Sequence, residues 1–148
     1  MAIYLDNNVG LKIATVDLSA YVTSITLTQT FDEVETTAMS TSSSASHTFA
    51  KGLESSTLSI DFINDWAASQ VQATLQAAYG TSVTALIVPV KAASSTTISA
   101  TNPLYTVSIL VNNLTPVGSP GTPADLARSS MTFTCTSAVT YATSGTFN

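Results

Sequence analysis

Apolar and polar residues alternate along most of this chain, in runs of five to nine residues. Period-two alternation is the signature of strands with one buried face. The chain opens with a short apolar stretch, Ile3-Tyr4-Leu5, followed by a polar turn at Asp6-Asn7-Asn8. From Val9 to Val16, residues Val9, Leu11 and Ile13 share one face, and Asp17 to Tyr21 reads as a corner. The strand from Val22 to Thr30 puts Ile25 and Leu27 on one face and Ser24, Thr26 and Thr28 on the other. The cleanest alternation runs from Ser56 to Ile63, with Leu58, Ile60 and Phe62 opposed to Thr57, Ser59 and Asp61.

The period then changes. Ala68, Val71, Leu75 and Ala78 recur at helical spacing, Asn64-Asp65 offers an N-cap, and Gly80 stands where a left-handed C-cap glycine belongs. This predicts one helix over 65–79, with Val71 and Leu75 lying on a sheet. Strands are expected again over Val83–Lys91, with Pro89 marking an edge or bulge, then Thr96–Ala100 and Tyr105–Val111. Gly118 to Pro123 is a loop by composition. Strands over Ala127–Thr136 and Val139–Thr143 complete the pattern, and the last residues read as loose. About eight strands and one helix predict a mainly β fold, a β-sandwich or open barrel with a flanking helix. The whole of 1–148 reads as a single domain.

The alternation fails over 31–50. Asp32, Glu33 and Glu35 lead to Met39 and a serine-rich run from Ser40 to Ser46. A long stretch without pattern inside a compact domain is uncommon and is usually functional or disordered. An extended arm or long hairpin that orders against a partner is expected here.

Charge changes the picture most. Charged residues make up 9% of the chain, against about 25% in ordinary soluble domains. Polarity comes from serine and threonine instead. Such a surface suits a protein whose faces are covered by neighbours. The disordered reading fails, because 45% of the residues are hydrophobic and they alternate. The net charge is −5, and Lys12, Lys51, Lys91 and Arg128 are scattered. A surface that grips nucleic acid needs clustered bases, so that class is disfavoured. No apolar run is long enough for a transmembrane helix. The N-terminus lacks the basic start and apolar core of a secretory signal, so synthesis in a cytoplasm is expected.

Candidate chemistry is sparse. Cys135 is the one cysteine; it allows no intrachain disulfide and reads as a small buried hydrophobe. His47 is the one histidine, and it sits among serines and threonines without the rigid setting a catalytic base needs. Asp32, Glu33 and Glu35 are too close together to oppose one another as acid and base. Asp61 and Asp65 flank the helix start, where Asp65 has a capping role. Asp6-Asn7-Asn8 lacks the spaced ligands of a calcium loop, and no glycine-rich phosphate loop occurs. Asn113-Leu114-Thr115 matches a glycosylation sequon, which means little without a secretory signal. Trp66 and Tyr79 are expected to anchor the two ends of the helix to the sheet rather than form a stacking platform. No catalytic, cofactor or metal residue is assigned, and the chain is not expected to be an enzyme.

Three stretches in order resemble the tail tube (major tail) proteins of long-tailed bacteriophages. They are Asp17–Ile25 with Phe31–Thr37, then Lys51–Phe62, then Ala100–Tyr105, within a likeness spanning about Asp17 to Tyr141. The resemblance implies a β-sandwich or barrel that forms hexameric rings, with neighbouring sheets joined into a barrel around a lumen. Rings stack into a tube that conducts genomic DNA into the host without binding it specifically. Its implied partners are copies of itself and other tail proteins (tape measure, terminator, distal tail), with no membrane and no cofactor. It implies location in the virion tail after synthesis in the bacterial cytoplasm, and an arm at 31–50 reaching between rings. The acidity then suits a wall that must not hold phosphate. Two strand faces rich in hydroxyls, Ser24/Thr26/Thr28 and Thr57/Ser59/Asp61, are candidates for that wall. Alternatives are another phage structural protein (a tail terminator or capsid decoration protein) or a carbohydrate-binding β-sandwich.

Overall fold

The computed structural model describes residues 8–38, 46–117 and 124–148. Among these residues ten strands run in chain order: β1 Gly10–Ile13, β2 Val16–Asp17, β3 Val22–Thr28, β4 Phe31–Glu35, β5 Phe49–Glu54, β6 Thr57–Ile63, β7 Ser82–Val88, β8 Leu104–Leu110, β9 Arg128–Cys135 and β10 Thr140–Ala142. Among the described residues one α-helix, α1 Val71–Ala78, lies between β6 and β7, and a single 3-10 turn, Ser19–Tyr21, lies between β2 and β3. Eight strands form one sheet in the order β2-β1-β7-β8-β9-β6-β3, with β10 also paired to β8. Every pairing is antiparallel. The remaining two, β4 and β5, pair only with each other.

Alternation accounts for how the sheet closes on itself. Leu11 and Ile13 from β1, Leu58, Ile60 and Phe62 from β6, Ala85 and Ile87 from β7, Val107 and Ile109 from β8, and Met131 and Phe133 from β9 all enter one buried cluster. The sheet therefore folds over as a sandwich, its halves meeting where β8 pairs with β10 at one end and β9 at the other. Val71, Leu75 and Ala78 of α1 join that cluster, as their helical spacing predicts. The sheet ends at β2 on one side and β3 on the other, and Val9, just before β1, and Ile25 of β3 line an open cleft between them.

Five expectations need correction. The helix spans Val71–Ala78, not 65–79. The Asp65 carboxylate accepts the amide of Ala67 at 2.8 Å, closing a local turn instead of capping a helix. Ser69 then takes a left-handed conformation (φ 61°), which breaks helical continuity before Val71. Gly80 does end the region with φ 80°. Trp66 and Tyr79 are 55% and 53% exposed, so neither anchors the helix to the sheet.

Residues 96–100 are not a strand. They form a loop with one isolated bridge, Ser99 to Asn102. The Asn102 side chain donates to the carbonyls of Val90 and Thr97 and accepts the amide of Val90, replacing a ladder. The chain end is not loose either. Phe147 is buried against Val88 and Leu104, and Asn148 accepts the amide of Thr96. The short run at 3–5, the turn residues 6 and 7, the arm residues 39–45 and the loop at 118–123 lie outside the described residues.

Candidate functional site

β3 and β6 form a hairpin that does not stop at the body. The Ser55 amide donates to the Thr30 carbonyl at 2.7 Å, and pairing resumes as Phe31 with Glu54. One two-stranded ribbon thus runs from β3/β6 into β4/β5, carrying the arm expected at 31–50. Every residue of β4 is exposed, and Phe31, Val34, Phe49 and Leu53 are 43%, 52%, 58% and 80% accessible. Large apolar side chains at such exposure, gathered on one projecting element, mark an interaction surface.

Register divides the arm into two faces. Glu33 pairs with Lys51 and Glu35 with Phe49, while Val34 pairs with Ala50 between them. Paired residues share a face and successive residues alternate. The Lys51 ammonium lies 4.2 Å from the centre of the Phe31 ring, and His47 meets Glu35 and Phe49. One face therefore holds Phe31, Glu33, Glu35, His47, Phe49 and Lys51. On the other, Val34 and Ala50 stand beside Gly52, which contacts Asp32 closely.

The foot of the arm is fixed by a carboxylate. Glu54 accepts the Ser56 hydroxyl at 2.7 Å and the Val139 amide at 3.0 Å. The Ser56 hydroxyl first, then the Val139 amide, hold the Glu54 carboxyl below its ordinary range.

The second surface is the outer side of β3, β6 and β9. Register aligns Ser24 with Asp61 and Ser130, Thr26 with Ser59 and Thr132, and Thr28 with Thr57 and Thr134. Eight hydroxyl side chains and one carboxylate thus make a single wall across three strands. Ser59 and Thr132 hydroxyls meet at 2.8 Å across it. Both hydroxyl faces named from the sequence belong to this wall, and β9 extends it. The free edge of β3 bounds it, with no charge and no proline in Val22–Thr28 to discourage another strand.

Reactive side chains are not brought together. His47 and Glu35 form an exposed pair on the arm, far in sequence from the other carboxylates of the body. Asp32, Glu33 and Glu35 remain on the arm, divided between its faces. Asp61 belongs to the wall, while Asp65 sits against the Tyr21 hydroxyl and pushes that phenol above its ordinary value. Cys135 is half-buried at the core margin; burial, and secondarily the Glu54 charge, raise its thiol pKa. That setting makes it a poor nucleophile. Among the described residues no three His, Cys, Asp or Glu side chains are grouped to hold a metal, and no helix is long and apolar enough to cross a membrane.

Sequence reasoning underestimated Asp17. Burial pushes its carboxyl up, but the Ser19 hydroxyl and amide and the Lys91 ammonium at 2.9 Å outweigh this and leave it lowered. The Asp-x-Ser spacing is the available signal, and the group stabilises the corner beside the β1 margin. Comparison with protein families and with curated proteins finds no match to this chain.

Proposed function

We propose that this chain is a structural subunit of a bacteriophage tail tube, assembling into hexameric rings that stack around a conduit for DNA. The observation that carries the reading is the projecting β4–β5 ribbon, with large apolar side chains exposed on it and none of them used by its own body. Such an element needs a covering partner, and a repeated copy supplies one without a second gene product. Two features add support. The bare β3 edge can accept a neighbour's strand, as joined sheets in a ring require. The wall beside it offers eight hydroxyls and the Asp61 carboxylate, with Arg128 alone at its end on the same face of β9, so it wets readily and lacks the clustered bases that hold phosphate.

On this reading the protein resides in the virion tail after synthesis in the host cytoplasm. Tape measure, terminator and distal tail proteins are its other partners, and no catalytic step is involved. Negative-stain images of the purified chain across a concentration series test it. Sixfold rings or open-ended tubes are expected. Dispersed monomers at the highest concentration, or closed trimers, sink it.

A further inference from the structure

The bare edge of β3 borders a cleft with two unlike halves. One is lined mainly by polar residues, Asn8, Ser19, Thr23, Ser24 and Lys91. The other is lined by Leu27, Ile87, Pro89 and Tyr105, with Gln29 as its polar member. Val9 and Ile25 belong to both. The halves measure about 290 and 320 Å³. A water takes about 30 Å³ of liquid volume, so the space is on the scale of a chain segment. One such segment starts there. The Lys91 amide donates to the Asn8 carbonyl at 2.7 Å, and the Asn8 side-chain amide donates to the Lys91 carbonyl at 2.6 Å. Residues 1–7 therefore join the body at a fixed point in the polar half.

The order of residues along that segment matches the order of the cleft. β3 runs from the polar half at Val22 to the apolar half at Leu27. Traced back from Asn8 in the same direction, Asn7 and Asp6 come level with the polar half, then Leu5 and Ile3 with the apolar half. Leu5 and Ile3 are two apart and share one face of an extended chain, as Ile25 and Leu27 do. The segment's own direction is then antiparallel to β3, like every other pairing in the sheet. Seven extended residues span about 23 Å, which is also the length of seven-residue β3.

We infer that residues 3–5 lie in this cleft as a further strand on β3, covering the edge of their own chain until another copy displaces them. β3 has neither a charge nor a proline over Val22–Thr28, and an unprotected edge of that kind is a template for pairing with any other chain. A cover from the same chain wins at low concentration. Its short tether sets an effective concentration of millimolar order, far above that of dilute second copies. Leu5 and Ile3 add apolar contacts to the backbone pairing. The seating stands apart from the tube reading; only the displacement step rests on it.

Hydrogen exchange of residues 22–28 tests the cover, at a dilution where sedimentation shows monomers. The full chain is compared with Leu5→Asp and with a chain lacking residues 2–6. Exchange of the β3 amides that β6 leaves free is expected to be at least tenfold faster in both variants, with unchanged melting. Equal exchange in all three overturns the cover. If a variant melts early, a disulfide decides. With Cys135→Ser, the pair Leu5→Cys and Leu27→Cys is expected to close within one chain when the dilute protein is oxidised. A bridge between chains, or none, overturns the proposal. Assembly is read separately, by sedimentation across a concentration series. The shortened chain is expected to half-assemble at a concentration at least fivefold lower. An unchanged concentration overturns the displacement step. A covered β3 in a chain that stays monomeric at every concentration sustains the cover and sinks the tube.

Discussion

The body sheet and the arm are built from the same two passes of chain. β3 runs into β4 and β5 into β6, with the backbone hydrogen bonds of one ribbon throughout. β6 alternates buried and half-buried residues because β9 pairs with its far edge and the core covers its inner face. Beyond Ser55 the ribbon loses both, and β4 is exposed at every position. Pairing is thus common to the two regions, while burial divides them. Two-stranded ribbons are marginal in water without a packed face. The same ladder that is fixed in the body therefore depends, in the arm, on Glu54 at the foot and on whatever covers its sides.

The largest expected contrast comes from deleting one aromatic ring in each region. Phe62 is fully buried, so Phe62→Ala is expected to lower stability by about 3–5 kcal/mol through lost transfer and a residual cavity. Phe49→Ala on the arm is expected to change monomer stability by less than about 0.5 kcal/mol. Urea titrations of both check this, and a loss above 2 kcal/mol at Phe49 breaks the distinction. A smaller contrast comes from the two crowded glycines. A Cβ at Gly10 meets Val88 Cγ1 at 2.5 Å and the Phe147 ring at 2.9 Å, inside packed core. Gly10→Ala is expected to cost about 1–3 kcal/mol from overpacking. Gly52→Ala meets similar crowding on an arm free to shift, and roughly 1 kcal/mol or less is expected, read from the same titrations.

Smaller still is the response to acid. The folded Glu54 carboxyl is depressed, so its contribution is complete above the ordinary glutamate value of 4.5 and is lost as pH falls through its lower folded value. The protection factor of the Val139 amide is expected to drop on that descent and to stay flat in Glu54→Gln. An unaltered chain whose Val139 protection ignores pH refutes the anchoring role. The smallest effect belongs to the β1–β2 turn, where Ala14 and Thr15 both have positive φ (50° and 71°). A β-branched side chain is strained there, so Thr15→Gly is expected to raise stability by roughly 0.5–1 kcal/mol in thermal melts.

The sequence pattern carried most of the body. Leu58, Ile60 and Phe62 announce their strand because a two-residue period has no other economical structural reading, and Val71/Leu75 announce the helix face. The helix start was misleading for a local reason: Asn64-Asp65 has the chemistry of a cap, and the same chemistry closes a turn to Ala67. Phe147 was illegible because a lone aromatic in a polar tail has no period to reveal its pocket. For the candidate surfaces, the hydroxyl faces of β3 and β6 were legible, but their union with β9 into one wall depends on register across the three strands. The arm was expected as a hairpin, yet its two faces were not, because the irregularity between Phe31 and Glu33 interrupts the alternation there.

Continuity of the ribbon also has a mechanical meaning. Tension applied at the arm's outer end runs along the backbone of β4 and β5 straight into β3 and β6. It then reaches the β6–β9 ladder, where seven residue pairs lie along the direction of pull. Bonds loaded side by side share the force, whereas bonds opened from one end fail in turn. A pull on the arm therefore loads the body in its strong direction, and the ribbon's own two strands part before the β6–β9 ladder does.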